Sequence, residues 1–206
     1  MNIEIKKSTK PVKYNDALTQ LEARSKLVSQ NEDKELIWIL EHEPVFTAGT
    51  SFSENDIIDK SINVCETNRG GKITYHGPGQ LIFYFAIDLK KRSKDIRKFV
   101  NLIENLIIET LKEYNINAYS DRKNVGIWIK KKKNLKKVGA IGIKIKKWIA
   151  YHGFSLNLNT DLKKYNKIIP CGIKDKKVDN LRFYKNLDQL SFKKKLIKNF
   201  IRSFKI

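Results

Sequence analysis

The stretch from Arg69 to Leu81, Arg-Gly-Gly-Lys-Ile-Thr-Tyr-His-Gly-Pro-Gly-Gln-Leu, constrains this chain more than any other. It holds four of the ten glycines, one of the four prolines and one of the three histidines. Gly70-Gly71 allows backbone angles that a Cβ forbids, or a close approach to a ligand. Lys72 to His76 predicts a short strand, β-branched and aromatic. Gly77-Pro78-Gly79 predicts a sharp turn. Gln80 to Asp88 is almost wholly apolar and predicts a second strand, buried on both faces. Arg69 and His76 then stand near the two ends of the first strand. A plain hairpin needs only two turn residues, so a glycine-rich turn alone does not account for this density.

The rest of the chain predicts one domain over residues 1–206. Tyr14 to Gln30 reads as an amphipathic helix with Leu18, Leu21, Ser25 and Val28 on one face and Asn15 or Asp16 as its cap. Glu35 to Glu41 is a buried strand, His42 to Gly49 a loop, and residues 50–64 irregular. Asp95 to Tyr114 is the clearest helix. Ile96, Phe99, Val100, Ile103, Leu106, Ile107 and Leu111 recur at its period, and Ser93 or Asp95 caps it. Gly126 to Ile129 is a strand. Lys130 to Lys137, six lysines in eight residues, reads as an exposed hairpin tip. Val138 to Lys146 alternates as a half-buried strand. Its expected partner is Trp148 to Asn159, with His152 on the face of Ala150, Phe154 and Leu156. Ser191 to Phe204 is a basic amphipathic helix, either packed on the core or lying on a membrane surface.

Composition bounds the partners. The formal net charge is +20, which favours acidic surfaces, although lysines spread along a chain also make an ordinary solvated surface. No run reaches the length of a membrane span, and the N-terminus lacks the apolar core of a secretory signal. A cytoplasmic protein is expected. Two cysteines and three scattered histidines form neither a disulfide framework nor a metal-ligand cluster.

Candidate chemistry centres on Cys171, between Pro170 and Gly172. Proline fixes the approach, and glycine offers an unhindered N–H to a developing oxyanion. A buried structural cysteine is the alternative. A thiol must be activated to attack at neutral pH, and His76, His152 or a lysine could do so. Lys137 closes the lysine run and enters Val138-Gly139-Ala140-Ile141-Gly142, whose small residues admit a ligand. A lysine shielded in a cleft loses basicity and could take the thiol proton. By residue type alone it is a surface lysine. His152-Gly153 forms a second His-Gly pair that could share a pocket with His76-Gly77.

Four segments, Arg69–Leu81, Lys137–Gly142, His152–Asn157 and Pro170–Gly172, resemble in order the motifs of bacterial lipoyl(octanoyl) transferases. Glu43 to Thr47 is similar to an early loop of that family. The resemblance implies an α/β (α+β type) fold like the catalytic domains of biotin and lipoate protein ligases, a mixed sheet flanked by helices. It implies octanoyl transfer from acyl carrier protein to a lysine of lipoyl domains, in 2-oxo-acid dehydrogenase complexes and the glycine cleavage H protein. Cys171 would be the nucleophile that carries the acyl group, and Lys137 its dyad partner. The acyl-binding residues it implies are Arg69, Gly70, Gly71, Lys72, Ile73, Thr74, Tyr75 and His76, then Ala140, Ile141 and Gly142, then Gly153, Phe154 and Ser155 with His152 beside them. Gly139 and Ser155 depart from what relatives often carry at those positions. No cofactor or metal is expected, because a thioester donor arrives activated. A monomer is expected, with no nucleic acid or membrane partner.

Three rival readings remain. An ATP-dependent lipoate or biotin ligase of the same fold would form an adenylate and needs no cysteine, so Pro170-Cys171-Gly172 favours the transferase. A basic nucleic-acid-binding module would explain the charge but not the glycine-rich stretch. An inactive scaffold would have no need of both Cys171 and Lys137.

Overall fold

The structure is a computed structural model. It describes residues 3–122, 124–131, 134–170 and 178–204. In chain order its main elements are β1 (Ile3–Lys7), α1 (Tyr14–Gln30), β2 (Glu35–Leu40), β3 (Val45–Ala48), β4 (Val64–Glu66), β5 (Thr74–His76) and β6 (Gln80–Asp88). These are followed by α2 (Ile96–Lys112), β7 (Ala118–Ser120), β8 (Ile127–Lys131), β9 (Asn134–Lys146), β10 (Ile149–Asn157) and α3 (Gln189–Ser203). A seven-stranded mixed sheet runs β1-β2-β6-β10-β9-β8-β7, and a three-stranded sheet runs β4-β3-β5. In the large sheet only β1 and β2 are parallel. This is the expected mixed sheet with flanking helices.

The period of two in β6 builds two cores at once. Leu81, Phe83, Phe85 and Ile87 face one side, where Phe99, Ile103 and Ile107 of α2 and Leu196 and Phe200 of α3 cover them. Ile82, Tyr84 and Ala86 face the other, against Ala17, Leu21 and Val28 of α1. Each leucine, isoleucine or phenylalanine among them, once fully buried, contributes about 1.5–3 kcal/mol. Burial on both faces explains why β6 reads as an unbroken apolar run rather than an alternating one. The helix at 189–203 is a packed terminal helix, with Phe192, Leu196 and Phe200 fully buried. Among the described residues no helix is long and apolar enough to cross a membrane.

Several local expectations are corrected. The two strands predicted at 72–76 and 80–88 do form, the first shortened to β5, and the plain hairpin set aside above is not what joins them. β5 pairs with β3 in the small sheet, whereas β6 lies between β2 and β10. The turn at 77–79 therefore carries the chain from one sheet to the other. Gly79 has φ +81°, and a Cβ there would sit 2.2 Å from the Asn159 carbonyl oxygen. Its own carbonyl meanwhile accepts the N–H groups of Leu158 and Asn159. Neither Asn15 nor Asp16 caps α1, whose N-cap position is Lys13 without a side-chain bond. Asp95 does cap α2, accepting from the Lys98 N–H. Ile96 is exposed rather than inward. The described lysines of the run lie in the paired strands β8 and β9, and its last member, Lys137, is buried; Lys132 and Lys133 lie outside the described residues.

Candidate functional site

A cavity of about 230 Å³ opens between the 69–76 segment and the face of the large sheet that α1 also covers. Its roof and floor follow from strand alternation. Lys72, Thr74 and His76 line it. Ile73 and Tyr75 point the opposite way, into a small cluster with Tyr165 and Ile168, so these two predicted acyl-binding side chains lie off the cavity. The floor comes from Ile82 and Tyr84 of β6, Ala140, Ile141 and Gly142 of β9, and His152, Gly153, Phe154 and Ser155 of β10. Arg69, Gly70, Gly71 and Lys137 complete the predicted set there. Ile82, Tyr84, Asn124 and Val125 line it too and were not anticipated.

Missing side chains let the segment lie down on the sheet. Gly142 pairs with Gly153 across β9 and β10, and a Cβ on Gly142 would meet the Arg69 side chain and the Gly70 carbonyl at 3.3 Å. Arg69 is buried, donating to the Thr47 carbonyl at 2.7 Å, to the Thr47 hydroxyl at 2.9 Å and to the Gly70 carbonyl at 3.0 Å. Its guanidinium therefore ties the glycine-rich loop to β3. At Gly139 a Cβ would stand 2.7 Å from Leu156 Cδ2 and 3.0 Å from the Ser155 carbonyl oxygen, so a bulkier residue there requires the Leu156 side chain to move.

His76 and His152 line the cavity, and His42, in the loop after β2, stands behind them against His76 and Tyr84. The rings of His42 and His76 are 5.7 Å apart. His42 Nδ1 donates to the Val12 carbonyl at 2.8 Å, leaving Nε2 to accept the Tyr84 hydroxyl at 2.8 Å. Gln80 donates its amide to the Tyr75 carbonyl and to Asn157 Oδ1. Its oxygen therefore accepts from His76 Nδ1 at 2.6 Å, and His76 Nε2 carries no proton. Asn68 donates to Glu22, so its oxygen accepts from His152 Nε2 at 3.1 Å. His76 and His152 thus hold opposite tautomers.

His152 does not share the face of Phe154. Its φ is +68°, which turns the ring over to Tyr84, 6.2 Å away, and Tyr151, 5.0 Å away. Strand register would have placed it beside Phe85.

Burial holds His42 down to about 4. Burial, then the charges of His42 and Arg69, holds His76 to about 3. Burial, then the Arg69 charge, does the same for His152, to about 3. Unfolded histidines take protons near 6.5, whereas these folded ones refuse them until pH 4 or below. The stability they support is complete above pH 6.5 and falls as pH drops toward 4, by up to about 1.4 kcal/mol per pH unit for each ring. The urea midpoint is therefore expected to fall steeply between pH 6.5 and 4. A flat midpoint over that window would mean that the rings already carry charge in the fold.

Lys137 is 7% exposed. Its Nζ donates to the Val125 carbonyl at 2.9 Å and stands 5.2 Å from the centre of the Trp128 ring. Gly126 makes this possible, because a Cβ there would lie 2.5 Å from Lys137 Cε. Cys171 and Gly172 lie outside the described residues. The chain before them is held by Ile169, whose N–H donates to the Asp56 carbonyl at 2.7 Å. It is next described at Val178, which forms a strand bridge with Lys137, and Asp179 donates its N–H to the Lys137 carbonyl at 2.8 Å.

Residues 13–201 match the family of lipoyl protein ligase A/B catalytic domains. The chain is 43% identical over 180 residues to an octanoyltransferase of Novosphingobium aromaticivorans, covering 87% of this chain and 81% of that one. Among solved structures it resembles protein Ta0514 of T. acidophilum with bound lipoic acid, at TM-score 0.77 and 19% identity, over 100% of this chain and 87% of that one. It also resembles a lipoate-protein ligase A bound with ATP, at TM-score 0.74 and 17% identity, over 100% and 87% of the two chains. At these identities the solved structures speak for the fold alone.

Proposed function

Because this chain belongs to the lipoyl protein ligase A/B catalytic-domain family and, within it, to the octanoyltransferases, we propose that it transfers octanoyl from acyl carrier protein to a lipoyl-domain lysine through a thioester on Cys171. Octanoyl transfer in protein lipoylation is the reaction of the family; the donor, the acceptors and the covalent route are our reading. The observation that carries it is Lys137, a buried lysine in the wall of a cavity whose floor presents the apolar side chains of Ile82 and Ala140 and the ring of Tyr84. The acceptors fitting this reading are the lipoyl domains of 2-oxo-acid dehydrogenase complexes and the glycine cleavage H protein. The setting is cytoplasmic, and the +20 surface speeds encounter with acidic carriers.

Two balanced steps follow. The Cys171 thiolate attacks the donor's acyl carbonyl, and a new C–S bond forms as the donor's C–S bond breaks. The departing carrier thiolate takes a proton from the Lys137 ammonium. The acceptor lysine amine then attacks the Cys171 thioester, an amide forms, and the C–S bond to Cys171 breaks. The amine's surplus proton returns to Lys137, and the thiolate is restored. The thioester donor is already activated, so neither step calls for a nucleotide.

Intact mass on the wild-type protein tests this. Incubation with octanoyl-carrier protein, without ATP, is expected to add one octanoyl group, which apo lipoyl domain then removes. No adduct, with transfer appearing only when octanoate and ATP are supplied, would sink the covalent reading in favour of the ligase.

A further inference from the structure

The apolar stripe of α2 is interrupted by one carboxylate. Glu104 sits beside Ile103 and three positions before Ile107, and it is 7% exposed. A carboxylate held that far from water needs partners. Among the described residues its hydrogen-bond donor is the Gly126 N–H, at 3.3 Å from Oε1. Gly126 is also the residue against which Lys137 packs so closely that it cannot carry a Cβ. The preceding residue, Val125, supplies the carbonyl that accepts from Lys137 Nζ. One short segment, 125–126, is thus gripped from below by Glu104 and grips Lys137 from above.

The electrostatics agree. Burial raises the Glu104 carboxyl, and the Gly126 N–H and the Lys137 charge oppose that rise, while Asp121 on the neighbouring turn adds to it. Asp179, a further carboxylate near this wall, is occupied by Lys131 and by the Tyr184 hydroxyl.

We propose that Glu104 is a positioning residue for Lys137: it fixes segment 125–126 against the lysine side chain and sets a negative charge on the far side of that segment from the ammonium. The catalytic part of this inference rests on the role proposed above for Lys137. The coupling between the two side chains does not.

Glu104→Gln keeps an oxygen acceptor for Gly126 and removes the charge; Glu104→Ala removes both. The readout is the pH profile of octanoyl-adduct formation on Cys171. An ammonium deprived of a nearby carboxylate gives up its proton more readily, so in Glu104→Gln the alkaline limb is expected to move to lower pH by about one unit. Glu104→Ala is expected to show that shift and a lower plateau as well. A Glu104→Gln profile that superimposes on wild type would reduce Glu104 to a structural role and overturn the inference.

Reciprocity provides a second measurement that leaves Glu104 intact. In Lys137→Met the Glu104 carboxyl, followed by NMR, is expected to titrate at higher pH than in wild type. Equal titration in the two proteins would overturn the coupling. If the wild type forms no adduct, the covalent reading fails while the NMR arm still decides the coupling.

Discussion

Replacing Lys137 with methionine is expected to lower octanoyl transfer by about 10²- to 10⁴-fold, the range associated with losing a positioned acid–base group. Methionine keeps the unbranched apolar stem that packs against Gly126 and discards the ammonium. The loss is expected in kcat/KM with little change in folding, because methionine keeps the packing of the stem against Gly126 and the ring of Trp128. Lys137→Arg is expected to fail as well. A guanidinium does not give up its proton, and the space against Gly126 is already tight enough to exclude a Cβ. Steady-state kinetics beside a urea melt separate chemistry from stability. A loss of less than tenfold in a fully folded Lys137→Met protein would remove the lysine from proton transfer.

Replacing Cys171 with alanine is expected to cost more, on the order of 10⁴-fold or beyond, since the acyl group then has nowhere to rest between donor and acceptor. The adduct seen by intact mass is expected to disappear with the activity. Cys171→Ser is expected to be nearly as damaging, because a neutral hydroxyl is far weaker than a thiolate as a nucleophile at neutral pH. The comparison also discriminates between the routes open to this fold. An adenylate-forming ligase attacks with the acceptor amine directly and would tolerate the alanine. Transfer that survives in Cys171→Ala and depends on ATP would move the chain to the ligase mechanism.

What the sequence determined on its own is local. The apolar run of Gln80–Asp88 and the period of α2 read correctly because a strand buried on both faces and an amphipathic helix write their burial into consecutive residues. The cluster of glycines at 69–81 announced that backbone would come close to something there, as it does over Gly142 and beneath Gly49, where a Cβ would strike the Gly71 carbonyl. The motifs resembling an acyltransferase family were legible for the same reason, being short and continuous.

What only the tertiary structure decided depends on partners far away in the chain or on single backbone angles. Strand β5 leaves β6 for β3 because the turn at 77–79 changes sheets, and nothing in an alternating pattern says which strand will be the neighbour. Ile73 and Tyr75 turn from the cavity because the small sheet has its own core. His152 crosses to the other face through one positive φ, against the alternation that a regular strand would impose. His42 joins His76 across 34 positions of chain, by virtue of Tyr84 and the Val12 carbonyl. Lys137 looks like the last of a solvated run. It becomes a buried cavity residue because Gly126 leaves room for its stem and Val125 and Trp128 receive its ammonium. Glu104 offered a signal, a charge on an apolar stripe, whose meaning appears only once α2 lies beneath the 125–126 segment. Periodicity records which residues are buried; which of them meet is settled by long-range packing.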